Sequence, residues 1–122
     1  WVADVAERTG APYLVVRKVR RGDRSVEVSL PDVDAHRHRT PVVVDDIVSS
    51  AQTMIAIVKH LLAAGLPAPV CVGVHALFSE HAEEALRAAG AARIVTTSSV
   101  SHATNAIDIV PLLIPAVHEF AR

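Results

Sequence analysis

Two adjacent carboxylates, Asp45 and Asp46, follow a short β-branched run at residues 42–44. Small and hydroxyl side chains come next, at residues 49–53, and an apolar helical pattern begins after them. Backbone N–H groups in such a loop and at a helix N-terminus can bind a phosphate. Carboxylates can accept hydrogen bonds from sugar hydroxyls or hold a hard cation such as magnesium. The pattern therefore predicts a site for a phosphorylated sugar, and it assigns no reaction.

A basic cluster is the second group of residues that could do chemistry. It flanks a turn signal at residues 22–23 and consists of Arg17, Lys18, Arg20, Arg21 and Arg24. A charged hairpin tip is the default explanation of such a cluster. Lys18 and Arg20, however, are separated by one residue just beyond an apolar run, so they could project to one face. Such a pair suits the charge that develops during phosphoryl transfer.

The elements that must position these residues alternate between strands and helices. We expect strands at residues 12–19, 25–30, 42–44, 70–74, 93–96 and 107–110, and helices at residues 2–9, 50–64, 79–89 and 111–122. Residues 31–40 are polar and are predicted to form a surface loop. This alternation predicts an α/β fold, with an open and mostly parallel sheet flanked by helices.

Single residues determine several of the expected boundaries. The unbroken apolar run at residues 42–44 is typical of a strand at the buried centre of a parallel sheet. Ser79 is the expected N-cap of the third helix. Pro115 is expected in or near the first turn of the last helix, because proline is tolerated there.

In open α/β sheets, ligands bind outside the carboxyl ends of the strands. The loops at residues 45–53, 75–79 and 96–105 should therefore converge on one site. His75 stands at a strand end beside that site, and both a ligand role and a structural role are open for it. Ser98, Ser99 and Ser101 have no base at a recognisable spacing, which disfavours a serine nucleophile.

Composition limits the function classes. A chain of 122 residues forms one domain at most, and its 3% aromatic content requires a core of Val, Ile, Leu and Ala. A net charge of −1 predicts no general affinity for nucleic acid or for an anionic membrane. Cys71 lies in an apolar run and is expected to be a buried small hydrophobe, which fits a reducing cytoplasm. No apolar segment is long enough to span a bilayer.

Residues 42–53, VVVDDIVSSAQT, resemble the phosphoribosyl-pyrophosphate loop of type I phosphoribosyltransferase-fold proteins. The segment KVR at 18–20, followed by RGDR, resembles the mobile catalytic arm of ribose-phosphate pyrophosphokinases. The segment GVHALF at 73–78 resembles their strand-end segment, and residues 94–97 and 105–107 resemble their next strand and loop. The resemblance covers nearly the whole chain.

The resemblance implies a phosphoribosyltransferase-like fold and synthesis of phosphoribosyl pyrophosphate. The anomeric hydroxyl of ribose 5-phosphate would attack the β-phosphorus of Mg-ATP, and AMP would leave. Lys18 would be the catalytic lysine and Arg20 its partner, while Asp45 and Asp46 would hold the ribose hydroxyls. The 5-phosphate would be held by Ser49, Ser50, Ala51, Gln52 and Thr53.

The resemblance also implies cofactors and partners. Mg²⁺ would accompany ATP as co-substrate, with no metal ligand expected within this chain. The expected partners are ribose 5-phosphate, ATP and further copies in a homo-oligomer, with no nucleic acid and no membrane. The expected compartment is the cytoplasm.

Members of that family carry two such domains, and this chain resembles the carboxyl-terminal one. Residues 1–122 are therefore expected to form a single incomplete domain that lacks its first strand and a preceding amino-terminal domain. On this basis we expect the 122-residue chain alone to be inactive.

Two alternative functions remain open. One is a type I phosphoribosyltransferase. The other is a non-catalytic phosphate-binding homologue or assembly partner, favoured by Gln52 at a position where glycine is common in the family. Arg17, at a position where an acidic residue is common, also favours the second alternative.

Overall fold

The computed structural model describes residues 1–20 and 26–121, with the side chains of residues 18–20, 26 and 27 outside that description. The elements, in chain order, are α1 (Val2–Thr9), β1 (Arg17–Arg20), β2 (Val26–Ser29), a 3₁₀ turn (Asp34–His36), β3 (Val42–Val48), α2 (Gln52–Ala63), β4 (Val70–Ala76), α3 (Ala82–Ala88), β5 (Arg93–Thr97), β6 (Asn105–Ile107) and α4 (Val110–Phe120).

Four strands form a parallel sheet in the order β3-β4-β5-β6. Strands β3 and β4 pair so that Val43 lies opposite Cys71, Asp45 opposite Gly73, and Ile47 opposite His75. Parallel neighbours require a crossover connection, and α2 and α3 provide it on the β3–β4 and β4–β5 steps. The predicted α/β class with a parallel sheet is confirmed.

The core lies between this sheet and the helices. In α2, the buried side chains recur at helical spacing: Met54, Ile55, Ile57, Val58 and Leu61. They pack with buried residues of the neighbouring elements, which include Val43, Cys71, Leu86 and Ile94. The apolar helical pattern predicted after residues 49–53 is confirmed, although Leu62, which continues the spacing, is exposed.

Burial also decides the chemistry of the one cysteine. Cys71 has no exposed surface and is a free thiol in the core. Burial raises the pKa of the Cys71 thiol to about 11, because the thiolate would lose its hydration. The expectation of an inert, buried small hydrophobe is confirmed.

The predicted hairpin forms in part. Strands β1 and β2 pair antiparallel as a separate two-stranded sheet, with Arg17 opposite Ser29. The strand predicted from residue 12 is wrong over residues 12–16, which are not strand, and Tyr13, Leu14 and Val15 are exposed. Strand propensity acts through cross-strand packing, and this segment pairs with no strand among the described residues.

Strand β3 differs from its prediction in length and in position. It runs four residues further than expected, to Val48, because its backbone pairing with β4 continues to Ala76. It lies at one end of the described sheet, not at the centre, and Val42 and Ile47 are each more than half exposed. An unbroken apolar run therefore did not indicate burial on both sides here.

Three further boundaries were wrong. The N-cap of α3 is His81, in the left-handed region at φ 60°, instead of Ser79. Strand β6 begins at Asn105, and α4 already begins at Val110. Pro115 lies inside α4, beyond its first turn, where it removes a helical hydrogen bond. Across residues 1–20 and 26–121, no helix combines the length and apolar character needed to cross a membrane.

Candidate functional site

A cavity of about 320 Å³ opens where β3 meets α2. It is lined by the end of β3, the connecting loop and the first turn of α2, namely Asp45, Ile47, Val48, Ser49, Ser50, Ala51, Gln52, Thr53 and Met54. The structure thus brings one carboxylate and the loop of small and hydroxyl side chains to the same concave surface. This is the surface that the sequence pattern predicted for a phosphorylated sugar.

The acidic pair lies inside β3, although the sequence predicted it at the strand's end. The Asp46 N–H donates to Asp45 Oδ1 at 3.0 Å, and the Ile47 N–H donates to Asp46 Oδ1 at 2.8 Å. Asp45 is half-buried and lines the cavity, whereas Asp46 is exposed and is not among the lining residues. The two carboxylates are therefore not equivalent.

The loop converts the end of β3 directly into the start of α2. Ala51 takes the left-handed conformation at φ 57° and is the N-cap of the helix, with the Ile55 N–H donating to its carbonyl at 2.8 Å. The N–H groups of Gln52, Thr53 and Met54 precede that first helical bond, so helix geometry leaves them without an intrahelical acceptor. All three residues line the cavity, where these N–H groups favour an anion.

Gly73 permits β4 to approach the cavity loop closely. A Cβ added at Gly73 would lie 2.6 Å from Val48 Cγ2 and 3.4 Å from Thr96 Cγ2. Val48 is buried and forms part of the cavity wall. The absence of a side chain at Gly73 is therefore a condition for the position of Val48 and of the loop that follows it.

Backbone hydrogen bonds tie the β4–α3 loop to the cavity loop. The Leu77 N–H donates to the Val48 carbonyl at 3.1 Å, and the Ser79 N–H donates to the Ser49 carbonyl at 3.1 Å. The convergence predicted for the first two loops is confirmed.

The third loop joins through His75. His75 Nδ1 lies 2.9 Å from Ser99 Oγ, across β4 and β5. Sequence spacing indicated no base partnered with the serines, and for Ser99 that expectation is wrong. Ser99 Oγ also lies 2.9 Å from the Val74 carbonyl, to which it donates. The Val74 carbonyl and His75 Nδ1 thus compete for the single Ser99 hydroxyl proton, unlike in an activated nucleophile with a dedicated base.

Asn105 fixes the same loop and was missed as a site-supporting residue. Its Nδ2 donates to Thr96 Oγ1 at 2.9 Å and to the Thr97 carbonyl at 2.6 Å. Its Oδ1 accepts from the His102 N–H at 2.9 Å. Thr104 Oγ1 completes the network at 2.8 Å from Thr96 Oγ1, and both threonines are buried. In the sequence, the only indication of this role is that an amide side chain stands at the end of a loop rich in Ser and Thr.

For most of the basic cluster, which forms the arm at residues 17–24, the structure describes the backbone at most. Lys18 and Arg20 lie in β1, and their side chains are outside the described residues, as are residues 21–25. Strand β2, the partner of β1, packs against α2, and its Val28 belongs to the core. The arm is therefore anchored on the helix whose first turn lines the cavity.

Comparison with known proteins agrees with this geometry. The profile of the phosphoribosyl transferase domain family matches residues 1–110. The ribose-phosphate pyrophosphokinase of Sulfurisphaera tokodaii is 31% identical over 108 residues, which are 87% of this chain and 37% of that protein. The ribose-phosphate pyrophosphokinase of Methanopyrus kandleri is 27% identical over 118 residues, or 97% of this chain and 40% of that protein.

A third relative, the ribose-phosphate pyrophosphokinase of Corynebacterium glutamicum, is 29% identical over 119 residues, or 89% of this chain and 36% of that protein. The chain thus spans 36–40% of the length of these three relatives.

Proposed function

The chain belongs to the phosphoribosyl transferase domain family, and from that premise we propose that it carries the ribose 5-phosphate half of a ribose-phosphate pyrophosphokinase site. In the proposed reaction, the anomeric hydroxyl of ribose 5-phosphate attacks the β-phosphorus of Mg-ATP. The pyrophosphoryl group is transferred and AMP leaves. The observation that supports this proposal best is the cavity that combines Asp45, the hydroxyl loop and the start of α2.

The phosphate end of the ligand would lie at the start of α2. The N–H groups of Gln52, Thr53 and Met54 point from a helix N-terminus, whose partial positive charge favours an anion. Ser49 and Ser50 are exposed on the loop, and their hydroxyls can add hydrogen bonds to phosphate oxygens. These donors are neutral, so they bind the phosphate without requiring a lysine or arginine in the cavity wall.

The sugar end would lie along β3. Asp45 lines the cavity on the strand side of the loop, where its carboxylate can accept hydrogen bonds from ring hydroxyls. A carboxylate offers about four lone-pair directions, so Asp46 can hold the Ile47 N–H and still accept from a hydroxyl. Hydrogen bonds to a charged acceptor are stronger than neutral ones.

Lys18 and Arg20 are the proposed catalytic residues. Phosphoryl transfer depends on positioned cations that offset the charge developing on the transferred group. The two residues are separated by one position in β1. Strand β1 pairs with β2, and β2 packs against α2. Lys18 is proposed to stabilise the negative charge on the pyrophosphoryl group during its transfer. Arg20 is proposed to assist Lys18 by stabilising the same charge.

Magnesium is proposed to accompany ATP as co-substrate. Mg²⁺ prefers oxygen ligands and is usually held by one or two carboxylates together with substrate phosphates. Asp45 and Asp46 are assigned to the ribose hydroxyls, and the described part of the chain has no group of three or more His, Cys, Asp or Glu residues that could hold a metal ion. The metal would supply neutralisation of phosphate charge.

A non-catalytic phosphate-binding homologue is the second candidate. The observation that favours it is Gln52, whose exposed side chain lines the cavity at the first position of α2. A side chain at that position occupies space that glycine would leave to the phosphate. Such a homologue would bind ribose 5-phosphate without turnover.

Turnover separates the two candidates. Because the chain spans about 37% of the Sulfurisphaera tokodaii enzyme, the assay uses a chimera in which this chain replaces the matching region of that enzyme. We expect AMP formation from ATP and ribose 5-phosphate, abolished by Lys18→Ala and retained by Lys59→Ala. Lys59 is the matched control because it is the only other lysine and is exposed on α2.

Two outcomes would count against the kinase proposal. A folded chimera that binds ribose 5-phosphate and releases no AMP supports the non-catalytic homologue. Base-dependent release of pyrophosphate from phosphoribosyl pyrophosphate supports a phosphoribosyltransferase. The 122-residue chain alone is expected to release no AMP, and AMP release by that chain would contradict the expected dependence on further protein.

A further inference from the structure

Helix α4 exposes its apolar side chains instead of packing them. It is 11 residues long and rich in Val, Leu and Ile, yet none of its residues, all of which the structure describes, is buried. A helix of this length, about 16 Å, is marginal alone in water. Surface helices are normally stabilised by packing an apolar face against their neighbours. For α4, the described part of the chain does not provide that neighbour.

The start of α4 is nevertheless fixed to the end of the sheet. The Val110 N–H donates to Asp108 Oδ1 at 3.0 Å, and Ser98 Oγ donates to the same oxygen at 3.1 Å. The Ile109 N–H donates to Ser98 Oγ at 3.0 Å, and the Ser98 N–H donates to the Ile107 carbonyl at 2.8 Å. Because Ser98 directly follows β5, these bonds anchor the first turn of α4. The exposure of the helix is therefore not due to a loose connection.

Five large apolar side chains form one stripe along α4. At 100° per residue they fall within about 120° of the helix circumference. This set, the α4 stripe, consists of Val110, Leu113, Ile114, Val117 and Phe120. Its members are between 47% and 84% exposed. The two prolines and the two ionisable residues of the helix, His118 and Glu119, lie on the other side, so neither proline nor charge interrupts the stripe.

The α4 stripe is large enough to hold two copies together. Each large side chain has about 150–200 Å² of surface when fully exposed, so the stripe exposes roughly 450–600 Å² on one copy. Two copies would bury roughly 900–1,200 Å² of apolar surface, to which rim residues add, whereas stable interfaces bury about 1,200–2,000 Å² in total. This area indicates a dimer of micromolar or weaker affinity.

The chemistry of α4 favours a second copy over a membrane surface. Helices that lie on membranes carry Lys and Arg on their polar face, and Val110–Phe120, described throughout, has neither. Two copies of an uncharged stripe meet without repulsion, and antiparallel packing places opposite ends of the helix dipoles together. Two-fold association of identical chains is also the commonest form of soluble oligomer.

We propose that the α4 stripe is the interface through which two copies of this chain associate, with their α4 helices antiparallel about a two-fold axis. The family resemblance implies a homo-oligomer, but it assigns no surface of the chain to that contact. Because the stripe is centred near residue 115, this arrangement brings Leu113 of one copy against Val117 of the other. The inference is independent of the proposed function, since no ligand in the cavity takes part in it.

The test is sedimentation equilibrium of the 122-residue chain from about 1 μM to about 1 mM, a range that covers micromolar affinities. We expect a reversible monomer–dimer equilibrium. Leu113→Glu changes the interface twice and should raise the dissociation constant at least about 10-fold, because apolar burial is lost at both places. Leu112→Glu is the matched control, because Leu112 is the neighbouring residue, is exposed and lies off the stripe. It should stay within about threefold of wild type.

A mixture of two variants tests the antiparallel arrangement. Leu113→Lys and Val117→Glu each leave an unpaired charge in the interface and should dimerise poorly alone. In a 1:1 mixture, the introduced lysine of one chain meets the introduced carboxylate of the other. The mixture should therefore associate at least about 10-fold more tightly than either variant alone. Urea midpoints of the dilute chains should match that of wild type, because both side chains are exposed in the monomer.

Four results would overturn the inference. The first is a wild-type chain that stays monomeric over the whole concentration range, which would leave α4 to a different partner. The second is a dimer that Leu113→Glu does not weaken, which would place the interface elsewhere. The third is equal weakening by Leu112→Glu and Leu113→Glu, which would indicate a general effect of charge. The fourth is a mixture no tighter than its components, which would exclude the antiparallel contact.

Discussion

Substituting Gly73 by alanine should displace the wall of the cavity. The added Cβ would lie 2.6 Å from Val48 Cγ2, whereas non-bonded carbon atoms prefer about 3.5–4.0 Å. One of the two groups must therefore shift by about 1 Å. Val48 cannot easily turn away, because β-branched side chains are stiff at χ1 and its carbonyl accepts from the Leu77 N–H. Thr96 Cγ2, at 3.4 Å, limits movement on the other side.

The expected magnitude combines two opposing terms. Overpacking a core by one methyl group costs about 1–3 kcal/mol. Replacing glycine by alanine in a conformation that both residues adopt stabilises by about 0.4–1 kcal/mol through the unfolded chain. We therefore expect Gly73→Ala to lower the free energy of unfolding by about 1–2 kcal/mol. We also expect weaker binding of ribose 5-phosphate, because the loop after Val48 moves with it.

Urea unfolding of four chains measures this effect and its cause. They are wild type, Gly73→Ala, Val48→Ala and the double variant, in which Val48→Ala removes the Cγ2 atom that clashes. In the double variant the added methyl group should cost less than it does in wild type, by about 1 kcal/mol of coupling. Additive free energies in the four chains, or a Gly73→Ala chain with the midpoint of wild type, would refute the proposed clash.

Two further predictions concern residues outside the cavity. The free energy of unfolding should fall as pH rises from about 9 to about 11. The reason is that the unfolded chain releases the Cys71 proton near 9.0, whereas the folded state holds it up to the raised pKa. In urea unfolding, Cys71→Ala should flatten this part of the pH profile. Asn105→Ala should lower the free energy of unfolding by about 1–3 kcal/mol, because the buried Thr96 hydroxyl and the Thr97 carbonyl lose their amide donor; an unchanged thermal midpoint would contradict the role given to this amide.

Sequence periodicity predicted the sheet and its connections because the physical causes are local. The β-branched runs of β3, β4 and β5 and the apolar stripe of α2 each repeat at the spacing of one element. The cavity loop was predictable for the same reason, since small residues, hydroxyls and a helix start follow one another along the chain. The rule that ligands lie at the carboxyl ends of parallel strands directed attention to this edge of the sheet, where the cavity lies.

Features that depend on partners far along the chain were not predictable. The extent of β3 through two aspartates depends on its pairing with β4, because aspartate is otherwise depleted in strands. His75 and Ser99 are 24 residues apart, and only the parallel pairing of β4 with β5 brings them within hydrogen-bond distance. Residues 13–15 have high strand propensity and yet remain exposed outside any strand, because propensity cannot supply a pairing partner.

The central claim is that the cavity at the start of α2 binds ribose 5-phosphate through a carboxylate on β3. Titration of the 122-residue chain with ribose 5-phosphate, followed in ¹H–¹⁵N spectra, tests it most directly. We predict the largest shifts at residues 49–54 and an affinity about 10- to 150-fold lower in Asp45→Asn, as loss of a hydrogen bond to a charged acceptor requires. Asp32→Asn, at an exposed turn, should bind as wild type does. Shifts confined to other surfaces, or equal affinity in Asp45→Asn and wild type, would contradict the claim.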